Sequence, residues 1–380
     1  MLIVAGEASA DLHGANLVRP IKRLHPHTRF CGIGGDQMAA AGVKITTHAG
    51  DMAVVGVTEV FPRLRTFLGA AKRLKRMIKH HAPDLLILND YPEFNIHIAG
   101  VARRCGVPVL YYISPQVWAW RRGRVKKIAR RIDRMAVILP FEKRFYEEKG
   151  VEVDYVGHPL MDALPAQDRD DPSEIPRFEE APFVIGLLPG SRREEIRRML
   201  PVMLESVEII RSAYPDVACL LPLADTIDRG FVEDFISHSR IKVHVIAHHV
   251  HDVLKRCRVA LVTSGTATLD AAAMEVPMVI GYRVSPFSYH MGRLLIKVPY
   301  IGLVNLIAGE RVVPEVIQDE LTPNRLAQEA LRLLADGQIR TRTLEKLKAV
   351  KRALGDAGAS ERTARIALGM MSHQTIPKGL

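Results

Sequence analysis

No uninterrupted apolar run in this 380-residue chain approaches the ~20 residues that a membrane-spanning helix requires, so a helical span is excluded. Cysteine is scarce. Cys31, Cys105, Cys219 and Cys257 are scattered and form no CxxC pair, which removes zinc-ribbon and disulfide-scaffold classes and leaves buried free thiols as the expectation. Aromatic residues make up only 6%, and neither an aromatic RNP strand nor a helix-turn-helix pattern is present. The first residues, Met1-Leu-Ile-Val-Ala-Gly-Glu7, lack a basic n-region and carry a carboxylate where a signal peptide would still be apolar. A cytoplasmic location is therefore expected. The one biased segment is the polar tail after about Gly369.

What is abundant is apolar side chain and positive charge. With 48% hydrophobic residues in 42.3 kDa, the chain can bury a large core and is expected to form two domains. Its net charge of +11 and pI of 9.6 point to an anionic partner: nucleic acid, nucleotide or an acidic membrane surface. The cations concentrate in residues 63–81 and 118–134. Over residues 61–78, apolar side chains recur at three- and four-residue spacing between Lys and Arg. That pattern suits an amphipathic helix lying on anionic lipid, or equally a solvated helix with one core face.

Short apolar runs alternate with amphipathic segments from end to end. Strands are expected at residues 2–5, 29–33, 85–88, 107–112 and 135–139, then at 183–188, 218–221, 242–246, 259–263 and 278–282. Helical patterns intervene, for example at 12–24, 99–105, 195–213 and 326–335. Such alternation predicts parallel sheets with right-handed crossovers. The fold class is thus α/β, with two doubly wound Rossmann-like domains facing a cleft. The Pro- and acid-rich stretch 166–182 is the expected linker between domains at 1–165 and 183–345, and 346–380 is a C-terminal helical segment and tail.

Two strand-to-helix loops in the second half favour anions. Gly190-Ser191-Arg192 follows a buried strand and opens an amphipathic helix, and Ser264-Gly265-Thr266-Ala267-Thr268 does the same about seventy residues later. A tight turn, free N–H groups and a cation at a helix start suit a diphosphate. In the first half, Glu7, Ser9 and Asp11 cluster in one strand-to-helix loop. They are candidate substrate-binding residues, although Ser9 or Asp11 could equally start the helix. Asp90 ends a third apolar strand, ahead of Tyr91-Pro92-Glu93-Phe94-Asn95. A partly desolvated carboxylate there could take a proton from an attacking hydroxyl, or Asp90 could equally just form the turn ahead of Tyr-Pro; Glu93 is the alternative candidate base. Gln116, Trp118 and Trp120 follow another strand and run into Arg121, so this segment suits a sugar, an acyl group or a membrane interface, or else a core-capping aromatic cluster. His244, His248, His249 and His251 lack a completing carboxylate or cysteine ligand set and read as a surface loop rather than a metal site.

Taken together these residues resemble the lipid-A-disaccharide synthases, bacterial glycosyltransferases of the GT-B fold. The resemblance rests on Gly6-Glu7-Ala8-Ser9-Ala10-Asp11, Ser114-Pro115-Gln116-Val117-Trp118-Ala119-Trp120-Arg121, Leu139-Pro140-Phe141-Glu142, Gly157-His158-Pro159, Leu188-Pro189-Gly190-Ser191-Arg192, Ser264-Gly265-Thr266-Ala267-Thr268, Gly281-Tyr282-Arg283 and Asn305-Leu306-Ile307-Ala308-Gly309. It implies transfer of 2,3-diacylglucosamine from its UDP ester to 2,3-diacylglucosamine 1-phosphate, giving the β-1,6-linked lipid A disaccharide 1-phosphate and UDP. By the same resemblance Asp90 matches the candidate base, with Arg192 and Asn305 at the UDP end; Glu7, Ser9, Asp11, Glu93, Asn95, Gln116, Trp118 and Trp120 are the candidate substrate-binding residues of the first half. No metal or other cofactor is implied, in keeping with the lack of a DxD-type motif. Partners would be the two acylated sugars and the anionic cytoplasmic face of the inner membrane, with no nucleic acid; the assembly is open between monomer and homodimer. Two positions depart from the family pattern: Ala10 stands where Gly is usual, and Asp270, the candidate ribose carboxylate, stands where Glu is usual. The competing readings are another GT-B UDP-sugar enzyme, such as a 2-epimerase, and a basic nucleic-acid-binding protein.

Overall fold

The computed structural model describes residues 1–52, 60–119, 122–164, 175–176, 178, 183–296 and 298–372, and the chain divides into two compact units. The first holds Met1–Asp162 and the chain from Leu354 onward. Its strands are β1 (Leu2–Ala5), β2 (Phe30–Gly34), β3 (Val43–His48), β4 (Leu86–Asn89), β5 (Val109–Tyr112), β6 (Arg134–Val137) and β7 (Val153–Tyr155). Its helices up to the crossover are α1 (Ala8–Leu24), α2 (Asp36–Ala40), α3 (Val60–His81), α4 (Pro92–Arg104), α5 (Val125–Ala129), α6 (Pro140–Glu147) and α7 (Leu160–Ala163). The sheet runs β3-β2-β1-β4-β5-β6-β7 with every pair parallel. Alternate residues face opposite sides, as a pleated strand requires. Leu2, Val4, Leu86, Leu88, Tyr111 and Met135 pack with Leu74, Ile78, Phe94 and Ile128. Ile3, Ala5, Ile87, Leu110 and Tyr112 pack on the other face with Leu17, Val18 and Ile21 of α1.

The second unit, Ala163–Ala353, repeats the plan. Its strands are β8 (Val184–Leu188), β9 (Ala218–Leu223), β10 (Val243–Ala247), β11 (Cys257–Thr263), β12 (Met278–Tyr282) and β13 (Glu315–Ile317). The helices are α8 (Arg193–Ala213), α9 (Arg229–Ser237), α10 (Val250–Arg256), α11 (Ala267–Ala273), α12 (Pro286–Leu295), α13 (Leu303–Ala308), α14 (Pro323–Ala335) and α15 (Gly337–Ala353). The sheet order is β10-β9-β8-β11-β12-β13, again all parallel. In each unit the strand order reverses beside the first strand, between β1 and β4 and between β8 and β11. That reversal opens a crevice at the carboxyl ends of those strands.

The ten expected strands are all present, with ends shifted by one or two residues in most. The three that the sequence pattern does not reveal, β3, β7 and β13, are all edge strands. Each is covered on one side only, so Val-Lys-Ile-Thr-Thr-His, Val-Asp-Tyr and Glu-Val-Ile carry no continuous apolar run. The thiols are free, but Cys105 lies at the surface rather than buried. The basic helix α3 has a core face and a charged face: Ala70, Ala71, Leu74 and Ile78 are buried, while Lys72, Arg73, Arg76 and Lys79 are exposed. Most of the expected linker 166–182 and the tail from 373 lie outside the described residues.

The chain returns to the first unit through α16 (Ala359–Ser372), which packs on α1. Asp162 receives the N–H groups of Gly358, Ala359 and Ser360 at 2.5, 3.2 and 3.3 Å, and Arg362 Nε donates to Val156 O at 2.8 Å. Asp162 thus caps a helix nearly two hundred residues away in sequence. Asp162→Ala should lower stability by about 1–2 kcal/mol, since a lost N-terminal cap costs that much. Urea unfolding measures it, and an unchanged midpoint would show that α16 docks through its apolar face alone.

Candidate active site

In the first unit the loops after β1 and β4 meet. Gly6 lies directly under Tyr91, and a Cβ on Gly6 would come within 2.6 Å of that ring. Glu7 precedes α1 in an extended conformation, and Glu7 and Ser9 are exposed. Ala10, the first departure from the family pattern, sits inside α1 and is buried, so its backbone needs no positive φ. Asp90 and Tyr91 both adopt φ of 48°, a left-handed turn that costs a non-glycine residue about 1–3 kcal/mol. Pro92 then opens α4, where a missing N–H is harmless.

Three buried side chains hold this turn. Asn95 Nδ2 donates to Asp90 O at 2.6 Å and to Asn89 O at 3.2 Å; Tyr111 Oη donates to Asp90 O at 2.5 Å; Asn89 Nδ2 donates to Ala10 O at 2.7 Å. The Asp90 carboxyl is pushed up to about 6, first by burial and then by the negative charge of Glu7, against the opposing pull of the Tyr91 N–H. Glu93, the other carboxylate candidate, is ion-paired with Arg124.

Several of the candidate substrate-binding residues also brace the fold. Asp11 is buried, and its two oxygens accept from the N–H groups of Gly35, Gln37 and Met38 at 2.6, 3.0 and 3.1 Å, which ties α1 to the start of α2. Asn95 is fully buried beneath Asp90. Trp118 is 5% exposed, packs edge-on against Phe141 at 4.8 Å, and donates Nε1–H to Glu142 at 2.9 Å. Gln116, between these, is exposed, and Trp120 lies outside the described residues.

Glu142 itself went unmarked in sequence. It is buried at the third position of α6 and also accepts from Ser114 Oγ at 2.6 Å and Leu139 N at 3.1 Å. Burial lifts its carboxyl to about 7 against these hydrogen bonds. The Leu-Pro-Phe-Glu helix start was the available signal, with Pro at the first helical position and Glu at the third.

In the second unit Gly190 has φ of 115°, a conformation that glycine alone adopts readily, and the carboxylate of Glu195 lies where its Cβ would be. Glu195 accepts from Ser191 N and from Arg192 Nη1, each at 3.0 Å. The loop therefore already binds an oxyanion, supplied by the third residue of its own helix. Arg192 is 78% exposed, and Ser191 O is further held by Thr226 Oγ1 at 2.7 Å. Glu195 was not foreseen either.

The second loop follows β11. Ser264 Oγ donates to Ile301 O at 3.1 Å and Thr268 Oγ1 to Gly265 O at 2.8 Å. Gly265 and Thr266 are exposed, Ala267 is half-buried, and nothing lies within 4 Å of the space above Gly265. Asp270 on α11 pairs with His251 Nε2 at 2.9 Å. The neighbouring histidines face other carboxylates, His248 toward Asp225 at 2.8 Å and His249 toward Asp252 at 3.4 Å. Asn305, expected at the UDP end, is fully buried; its Oδ1 accepts from Val312 N and Val313 N, and its Nδ2 donates to Val313 O and Glu315.

A family model described as lipid-A-disaccharide synthetase matches residues 1–368. Lipid-A-disaccharide synthase from Geobacter metallireducens is 50% identical over 372 residues, covering 98% of this chain and 97% of that protein. The Geobacter sulfurreducens enzyme is 49% identical over 375 residues, covering 98% of each. Among solved structures, the glycotransferase of kitacinnamycin superposes with a TM-score of 0.65 at 16% identity, covering 97% of this chain and 98% of that one. A putative UDP-N-acetylglucosamine 2-epimerase from Listeria monocytogenes gives 0.64 at 15%, covering 99% and 97%. These last two likenesses speak to the fold alone. Two parallel-sheet α/β units of the GT-B kind, a full-length family match and half-identical relatives agree, and neither the epimerase nor the nucleic-acid reading accounts for all three: the chain belongs to the lipid-A-disaccharide synthase family.

Proposed function

We propose that this chain performs its family's sugar transfer with Asp90 as general base and Arg192 as the clamp on the leaving group. The substrates are UDP-2,3-diacylglucosamine and 2,3-diacylglucosamine 1-phosphate. Asp90 takes the proton of the acceptor 6-hydroxyl as that oxygen bonds the anomeric carbon. The bond from that carbon to the UDP oxygen breaks, and inversion gives the β-1,6 linkage. Arg192 and the N–H of Ser191 receive the charge that develops on the diphosphate, which takes the place of the Glu195 carboxylate. The observation that carries this reading is the Asp90 turn. It is a half-buried carboxyl on a strained turn at the β1/β4 switch point, poised at about 6 and so ionised, yet basic, at neutral pH. Glu93 serves the reading less well, because its charge is compensated by Arg124.

Membrane association belongs to the same reading, since both sugars carry acyl chains. Its support is the solvent-facing row of Lys72, Arg73, Arg76 and Lys79 on α3 together with Leu68, which is 59% exposed. With the rest of that helix's described apolar side chains turned toward the core, attachment would be mainly electrostatic. Co-sedimentation with anionic vesicles, lost in salt, is expected, at about 1 kcal/mol per cation near the surface. Equal binding to neutral vesicles would remove this part of the proposal.

Arg192→Ala should lower kcat about a hundredfold with little change in KM, because the lost contact strengthens only as the diphosphate departs. Steady-state transfer assays read this directly, and wild-type turnover would refute the assignment.

The base is tested by pH. A carboxyl raised to about 6 is active only when ionised, so kcat/KM should fall about tenfold per unit as pH drops below 6. Glu7→Gln removes the neighbouring negative charge, lowers the Asp90 pKa and should move that acid limb to lower pH. Asp90→Asn should cut transfer by roughly a hundredfold to ten-thousandfold with UDP binding intact. If Glu93→Gln silences transfer while Asp90→Asn does not, the base is Glu93.

A further inference from the structure

We propose that His251 is a positioning residue for nucleotide recognition. It fixes Asp270 so that the carboxylate presents its remaining oxygen to a ribose hydroxyl. The inference rests on the reading of the second unit as the UDP side.

Asp270 stands in the first turn of α11, directly after the open Ser264–Thr266 loop, and its side chain is 20% exposed. Its side chain is one methylene, or about 1.5 Å, shorter than a glutamate's. A short carboxylate reaches less far, so its direction matters more. His251, at the start of α10 and only 14% exposed, bonds Oδ1 through Nε2 at 2.9 Å. Among the described residues Oδ2 has no protein hydrogen-bond partner. His248 and His249 are engaged by Asp225 and Asp252, so His251 alone of this histidine run serves Asp270. A carboxylate held at one oxygen and open at the other, beside a loop suited to phosphate, is arranged to accept one hydroxyl hydrogen bond at a fixed distance from the diphosphate.

Calorimetric titration of the full chain with UDP and with 2′,3′-dideoxy-UDP tests this. His251→Ala should weaken UDP binding about tenfold, the scale of a lost hydrogen bond to a charged group, and leave dideoxy-UDP binding unchanged. His251→Gln, which keeps an N–H donor, should recover most of the loss. Equal losses for both nucleotides, or none for UDP, would overturn the inference. Failure of the wild-type chain to bind UDP at all would bring down the nucleotide reading itself, and the positioning role with it.

Discussion

Both sheets are parallel throughout, and a parallel sheet must be covered on both faces because each crossover lays a helix on one of them. That requirement makes the central strands apolar from end to end: β1, β4 and β8 have every residue buried. Polar chemistry is pushed out to the loops at the strand ends. Where the strand order reverses, two such loops diverge and leave a crevice. Every side chain in the proposed mechanism lies on one of those four loops or in the first turns of the helices they lead into. The Asp90 carboxyl follows β4, Glu7 follows β1, Arg192 follows β8, and Asp270 follows β11.

The Asp90 turn shows how this arrangement sustains strain. Two consecutive left-handed residues together cost several kcal/mol. They persist because the Asp90 carbonyl receives both Asn95 Nδ2 and Tyr111 Oη, neither of which is free to move inside a filled core. The backbone is held so that the side chain can be raised in energy: burial and Glu7 disfavour the ionised carboxylate that a base requires. Stability built by the sheet is thus used locally to keep a carboxyl basic.

Much of this was legible in sequence, and the remainder was hidden for identifiable reasons. Central strands announce themselves through runs such as Leu86-Ile-Leu, whereas the half-covered edges β3, β7 and β13 do not. The four candidate loops rest on strand-Gly-helix patterning, on a clustered Glu, Ser and Asp, and on an Asp at the end of an apolar strand. Individual roles were harder. Asp11, Asn95 and Asn305 are polar residues on or near the candidate loops, and each satisfies backbone groups in the structure. Sequence cannot separate these outcomes, because a buried N–H and a ligand hydroxyl ask for the same acceptor. Trp118 is ambiguous in sequence for a related reason: its apolar body is in the core while its N–H meets the buried Glu142.

Glu142 and Glu195 complete the comparison. Each is the third residue of its helix, and each reaches back to a backbone N–H just ahead of it, where helix geometry leaves donors without partners. Their surroundings set them apart. Glu142 is buried and also receives Ser114 and Trp118, so displacing it would strand three donors and open the core. Glu195 is 23% exposed, and its other partner is the head of an exposed arginine. In the proposed mechanism an arriving diphosphate offers the same loop more oxygens and more charge than one carboxylate, so exchange would leave no donor unsatisfied. On that reading one local motif gives a permanent brace in the first unit and an exchangeable contact in the second, and burial decides which.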